Sequence, residues 1–158
     1  MANTLIVGVD GTADSLAALA VAATMAEESR ADLDVVHVRH EAALTAVAGE
    51  TGAVAAVSEA LDEMEHMSRE RASDVLAGRK VQWRFDVSGG DPATQLIAAA
   101  RAQQARTIVV GGRSHGVVGG LVVGSVAQKL VRHSPVSVLV VRDGKAQSLE
   151  TVSTEGGR

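Results

Sequence analysis

The residues best suited to chemistry lie toward the end of the chain. Thr107-Ile-Val-Val-Gly111-Gly112-Arg113-Ser114-His115-Gly116-Val-Val-Gly119-Gly120-Leu-Val-Val-Gly124-Ser125 passes from an apolar run, through a glycine-rich loop, into a helix-like segment, Val126 to His133. Glycine loses more backbone freedom on folding than any other residue, so this density is costly unless the main chain must pass close to something. A strand, a glycine loop and a helix N-terminus together leave backbone N–H groups free to hold an anion. The donors would be the amides of Gly124, Ser125 and Val126, with the Ser125 hydroxyl, Arg113 and His115 beside them. The plainer reading is a surface loop with a glycine-tolerant turn. A second loop, Gly8-Val9-Asp10-Gly11-Thr12, follows the first apolar run. There Asp10 would hold a ribose, or a metal on phosphates, or would simply cap a turn.

Two standard phosphate motifs do not apply. Gly119-x4-Gly124-Ser125 has the first half of a Walker A spacing, but Ser125 stands where the lysine belongs, and no G-x-G-x-x-G is present. The other reactive side chains read more simply. His37 lies within a strand and reads as a satisfied sheet histidine. His40, His66 and His133 show no metal-ligand spacing. Asp86 and Asp91 flank a loop where capping and solvation account for them. No Ser-His-Asp set and no paired carboxylates fall in the crevice loops.

The elements that must position these loops follow from periodicity. Strands are expected at Thr4–Val9, Leu33–Val38, Val81–Val87, Thr107–Val110 and Val136–Val141. Helices are expected at about Ala13–Ser29 (Leu16, Leu19, Ala20 and Ala23 inward, Thr12 or Asp14 as cap), and at Ala53–Leu76 (Val54, Val57, Leu61, Met64, Ala72 and Val75 inward). Two more are expected at Pro92–Gln104, with Asp91 as N-cap, and at Ser125–His133. Val81 to Val87 alternates, which suits an edge strand. Arg39 to Gly52 reads as a loop. Strict β-α alternation gives an open five-stranded parallel α/β sheet with helices on both faces and right-handed crossovers. If the fourth strand lies beside the first, both loops flank one crevice beyond the carboxyl ends of the strands.

Composition bounds the function. At 158 residues and 46% apolar content, one folded domain is expected. Trp83 and Phe85 are the only Phe, Trp or Tyr residues, so stacking platforms for single-stranded nucleic acid or for an adenine sandwich are lacking. A net charge of −4 argues against nucleic acid and anionic membranes as partners. Without cysteine there is no disulfide, thiolate chemistry or Cys-ligated zinc. The Met-Ala-Asn-Thr-Leu-Ile-Val start lacks an export signal pattern, so a cytoplasmic location is expected.

The chain resembles a single-domain universal stress protein (UspA-like). The resemblance runs from about residue 4 to 142. It rests on Leu-Ile-Val-Gly-Val-Asp10-Gly-Thr-Ala-Asp-Ser15, on Val-Val-His37-Val38, on the ending Val-Leu-Val-Val-Arg142, and on the signature Gly111-x2-Ser114-x9-Gly124-Ser125. The family pattern has glycine where this chain has Ser114. The resemblance implies a Rossmann-like sheet of order 3-2-1-4-5, of the adenine nucleotide alpha hydrolase type, over residues 1–143, with residues 144–158 as a flexible tail. It also implies ATP, or AMP or cyclic AMP, on Gly8, Val9, Asp10, Val38, Gly111, Gly112, Arg113, Ser114, His115, Gly124, Ser125 and Val126. Magnesium would enter through Asp10 and the nucleotide. A homodimer through the last strand, at Val136, Val138 and Val140, follows from the same resemblance. The expected role is stress response through nucleotide-dependent conformation or partner choice. The alternatives are a dimeric interaction protein that does not bind ATP, and a slow ATPase.

Overall fold

A computed structural model of the chain describes residues 3–40, 54–112 and 123–142. Five strands, β1 (Thr4–Val9), β2 (Asp32–Arg39), β3 (Trp83–Gly89), β4 (Thr107–Gly111) and β5 (Ser137–Val141), form one sheet in the order β3-β2-β1-β4-β5. Every pairing is parallel, with Val7 opposite Val35 and Val109, Val35 opposite Phe85, and Val109 opposite Leu139. Among the described residues the helices are α1 (Ala13–Ser29), α2 (Val54–Leu76), α3 (Pro92–Ala102) and α4 (Ser125–His133). The expected alternation and strand order are both present.

Alternate residues of each strand feed two cores. Leu5, Val7, Val9, Leu33, Val35 and Val109 pack under α1 and α2, while Ile6, Val36, Ile108 and Val110 pack under α3 and α4. In β1 and β4 apolar side chains therefore run almost without a break, because both faces are covered, while β2 interrupts its run with buried Asp34 and His37. α1 meets the sheet through Ala18, Leu19, Ala22, Ala23 and Ala26, and the four alanines let its backbone come close.

Four expectations shift. β3 begins two residues later than its alternation suggests, because the ladder starts where Trp83 faces Leu33 and closes where Gly89 faces Arg39. Val81 packs against the first core from outside the strand. On α2 the buried stripe is Leu61, Ser68, Ala72 and Leu76, whereas Val54 is 77% exposed and Met64 is also exposed. Leu61, Ser68 and Ala72 recur at seven and four residues and stay on one side of the helix, which leaves Met64 on the flank. On α1, Ala20 faces solvent and Ala22 takes its place inside. Of the expected loop from Arg39 to Gly52, Arg39 is instead the last residue of β2, where it faces Gly89, and all but His40 of the rest, like the tail, falls outside the described residues.

At the other edge, Ser137 N–H donates to Arg106 O, and Val141 O accepts from Gly112 N–H. Residues 137, 139 and 141 of β5 therefore point their main-chain groups at β4. By the two-residue period, Val138 and Val140 turn their N–H and C=O groups to the open edge. Their side chains pack on the second core.

Candidate functional site

The carboxyl ends of β1, β2 and β4 and the first turns of three helices enclose one cleft. Its floor is Gly8, Val36, Val38 and Val110; α1 contributes Thr12 and Ser15, α3 contributes Pro92 and Leu96, and α4 contributes Val126 and Ala127. The strand order explains the place. β2 and β4 flank β1, so the chain leaves β1 toward one face of the sheet and β4 toward the other, and the crevice opens between them.

The first loop is held tightly. Gly11 adopts φ +79°, a left-handed conformation that side-chain-bearing residues rarely adopt, and Arg71 Nη1 donates to its carbonyl at 2.7 Å. Asp10 Oδ1 accepts from the Thr12 amide at 3.0 Å and from the Thr12 hydroxyl at 2.6 Å. Thr12 in turn caps α1 by accepting from Ser15 N–H at 3.3 Å. Asp10 thus shapes the turn, and it is also the one ionisable side chain among the described residues that line the cleft.

The second loop begins at Gly111. A β-carbon there would lie 2.7 Å from the Asp14 carbonyl carbon and 2.8 Å from Ser15 N, so only glycine lets β4 end against the first turn of α1. At Gly8 the β-carbon would meet Leu96 Cδ1 at 3.0 Å, which keeps α3 close to the floor. Gly112 donates to Val141 O at 2.7 Å, and its carbonyl accepts from Gly124 N–H at 2.8 Å. That second bond closes the glycine loop at its base, carrying α4 back to the end of β4.

The three helix N-termini differ in one respect. Thr12 caps α1, and Asp91 caps α3 by accepting from Thr94 N–H at 3.0 Å. α4 starts at Gly124, which has no side chain to offer its first turn. The amides of Ser125, Val126 and Ala127 precede the first intrahelical bond, Gln128 N–H to Gly124 O, and carry the positive end of the dipole. Asp91 also accepts from Lys129 Nζ at 2.7 Å, tying α3 to α4. Lys129 first, and the Thr94 amide second, bring the Asp91 carboxyl down to about 2.

Beneath the cleft, His37 is buried and its Nδ1 donates to Val9 O at 3.1 Å, which places the proton of the neutral ring on Nδ1. Desolvation holds its pKa below the ordinary value, against the opposing pull of the Val9 bond and of Glu65. Phe85 stacks beside the ring at 6.4 Å, and Arg69 lies 4.3 Å over Phe85. His37 is the satisfied sheet histidine that its position in a strand suggests.

Of the residues singled out from sequence, Gly8, Val9, Asp10, Val38, Gly111, Gly124 and Val126 come together around the cleft. Gly112 is buried behind it, against Val140 and the Arg142 side chain, and Ser125 is exposed at its rim. Arg113, Ser114 and His115 lie outside the described residues. Thr12, Ser15, Val36, Pro92, Leu96, Val110 and Ala127 line the cleft without having been singled out. For Val36 the signal was available, since it shares a face with Val38 two residues on. For Pro92 and Leu96 it was not, because nothing local says that α3 bends over this crevice. Among the described residues no group of three His, Cys, Asp or Glu side chains is arranged to hold a metal.

Comparison with known proteins agrees with this architecture. The model of the universal stress protein family matches residues 1–142. Universal stress protein YxiE of Bacillus subtilis (strain 168) is 31% identical over 149 residues, covering 90% of this chain and 100% of its own length. Among solved structures, universal stress protein UspA from Lactobacillus plantarum superposes with a TM-score of 0.74 at 23% identity, over 89% of this chain and 98% of its own. A universal stress protein in complex with cAMP gives 0.62 at 23% identity, over 89% and 97%. The universal stress protein from Archaeoglobus fulgidus in complex with dAMP gives 0.55 at 19%, over 89% and 99%.

Proposed function

The chain belongs to the universal stress protein family, and on that premise we propose that its cleft binds an adenine nucleotide, ATP in the first instance, with AMP or cyclic AMP as related ligands. The observation that carries this reading is the N-terminus of α4, which among the described residues has no side-chain cap, facing a cleft whose two companion helices are capped by their own side chains. An anion supplies what Gly124 lacks, and a phosphate suits a row of backbone donors at a positive dipole end. The aliphatic floor of Val36, Val38 and Val110 suits a base read by shape and by main-chain groups. Two structural neighbours, in complex with cAMP and dAMP, support the adenine class. Asp10, at the mouth, faces the ribose or a magnesium ion carried in on the phosphates. The protein acts as a stress-response module whose conformation or partner choice follows the bound nucleotide, as a dimer joined through the open edge of β5.

Isothermal titration with ATP, AMP and cyclic AMP tests the reading. Saturable 1:1 binding by at least one of them is expected. No heat from any adenine nucleotide up to millimolar concentration overturns it and favours a member that works by protein contacts alone.

A further inference from the structure

Position suggests that Asp86 is a solvated carboxylate near a strand end. In the fold it is one half of a pair. Arg84 of β3 lies directly opposite Asp34 of β2, with Asp86 two residues further along the same face. Arg84 Nη2 donates to Asp34 Oδ2 at 2.5 Å, and Arg84 Nε donates to Asp86 Oδ2 at 3.1 Å. These two nitrogens share one carbon, so a single guanidinium holds both carboxyls side by side. Asp34 is 2% exposed, and its Oδ1 has no hydrogen-bond partner.

The charges do not balance. One guanidinium faces two carboxylates, and Asp32 further up β2 adds another negative charge around Arg84. The cavity beside them is completed by Thr4, Gln82 and Gln103, which are uncharged. α3, packed over this face, presents Ala93, Leu96 and Ala100. The charges acting on Asp86 are Asp34 from β2 and Arg84 from its own strand. A half-exposed carboxylate drawn against the buried Asp34 cannot ionise as cheaply as one alone in water.

We infer that Asp34 and Asp86 share one proton in an O–H···O bond, and that this bond makes the attachment of edge strand β3 firmer as pH falls. The shared proton supplies the donor that the buried Asp34 Oδ1 lacks. Burial first, and the Asp34 charge second, hold the Asp86 carboxyl above its ordinary range. An acid raised in this way stabilises the fold fully below its unfolded value of 3.8. That stabilisation is lost as pH rises through the folded value. β3 runs on through Gly89 and Gly90 to Asp91 and Pro92, so the device acts on the strand that delivers one wall of the cleft.

Carboxyl-carbon NMR titration of the full chain reads the proton directly. Asp86 is expected to titrate above the ordinary aspartate range, and lower in Asp34→Asn. Thermal unfolding between pH 4 and pH 8 gives the second readout. Asp86 is 54% exposed, so Asp86→Asn leaves the packing intact. Its Tm is expected to match the parent at pH 4 and to exceed it by roughly 2 °C at pH 8. A parent Asp86 that titrates in the ordinary range, or a Tm difference that is the same at both pH values, overturns the inference.

Discussion

Gly111 rests on Asp14. The last residue of β4 and the first turn of α1 are so close that a methyl group at Gly111 would sit 2.7 Å from the Asp14 carbonyl carbon. Both neighbours are backbone, so neither can rotate away. Gly111→Ala should cost about 2 kcal/mol or more, in the range of overpacked cores. It should also weaken nucleotide binding, since α1 and β4 are two walls of the cleft. Urea denaturation and ATP titration of the same variant check both; a fully stable Gly111→Ala protein would refute the close approach.

The start of α4, where Gly124 offers no side-chain cap, makes a prediction of opposite sign for stability and binding. Gly124 has φ −60° and ψ 158°, a conformation that any residue adopts and that N-caps prefer. Gly124→Asp supplies a carboxylate to the first-turn amides and should leave the helix as stable or up to about 1 kcal/mol more so. ATP affinity should fall more than tenfold, since the same donors are then occupied and like charges meet. Unchanged affinity would place the phosphates elsewhere.

The Asp91–Lys129 pair has a defined pH window. The Asp91 carboxyl is depressed from 3.8 to about 2, so its contribution is full above pH 4 or so and disappears as pH falls through about 2. Both side chains are partly exposed, so solvent screens much of this term. Asp91→Ala, which also removes a cap, should cost about 1 kcal/mol at pH 7. Chemical denaturation at pH 7 and pH 3 should show the difference shrinking at the lower value. A constant difference would mean that the cap matters and the charge does not.

β5 offers a test of association. Val138 and Val140 point their main-chain groups outward, so proline at 140 removes an edge donor without touching the ladder to β4. Sedimentation at micromolar concentration should give a dimer for the parent chain and a monomer for Val140→Pro. A parent monomer removes the proposed interface.

Most of the fold was legible in the residues. The central strands are near-continuous apolar runs, and the caps at Thr12 and Asp91 mark helix starts within a residue. Legibility failed where the partner decides. α2 could bury any of several stripes until α1 and β2 were in place, and the start of β3 depends on its register with Leu33. For the site, the loop residues were visible because glycine and aspartate carry local backbone consequences. The walls were not, because Leu96 and Ala127 are ordinary apolar helix residues whose role comes from how α3 and α4 lean. Asp86 is half solvated, as its place near a strand end suggests, but nothing near it in sequence announces the Arg84 guanidinium that it shares with Asp34.

Trp83 is the chain's single indole, and it sits at the first position of β3, 38% exposed. The cleft lies at the other end of the strands, roughly 20 Å away at about 3.3 Å per residue. Its emission should therefore stay constant while nucleotide binds. It should change when the outer strand loosens, which makes it an optical reporter of that edge alone.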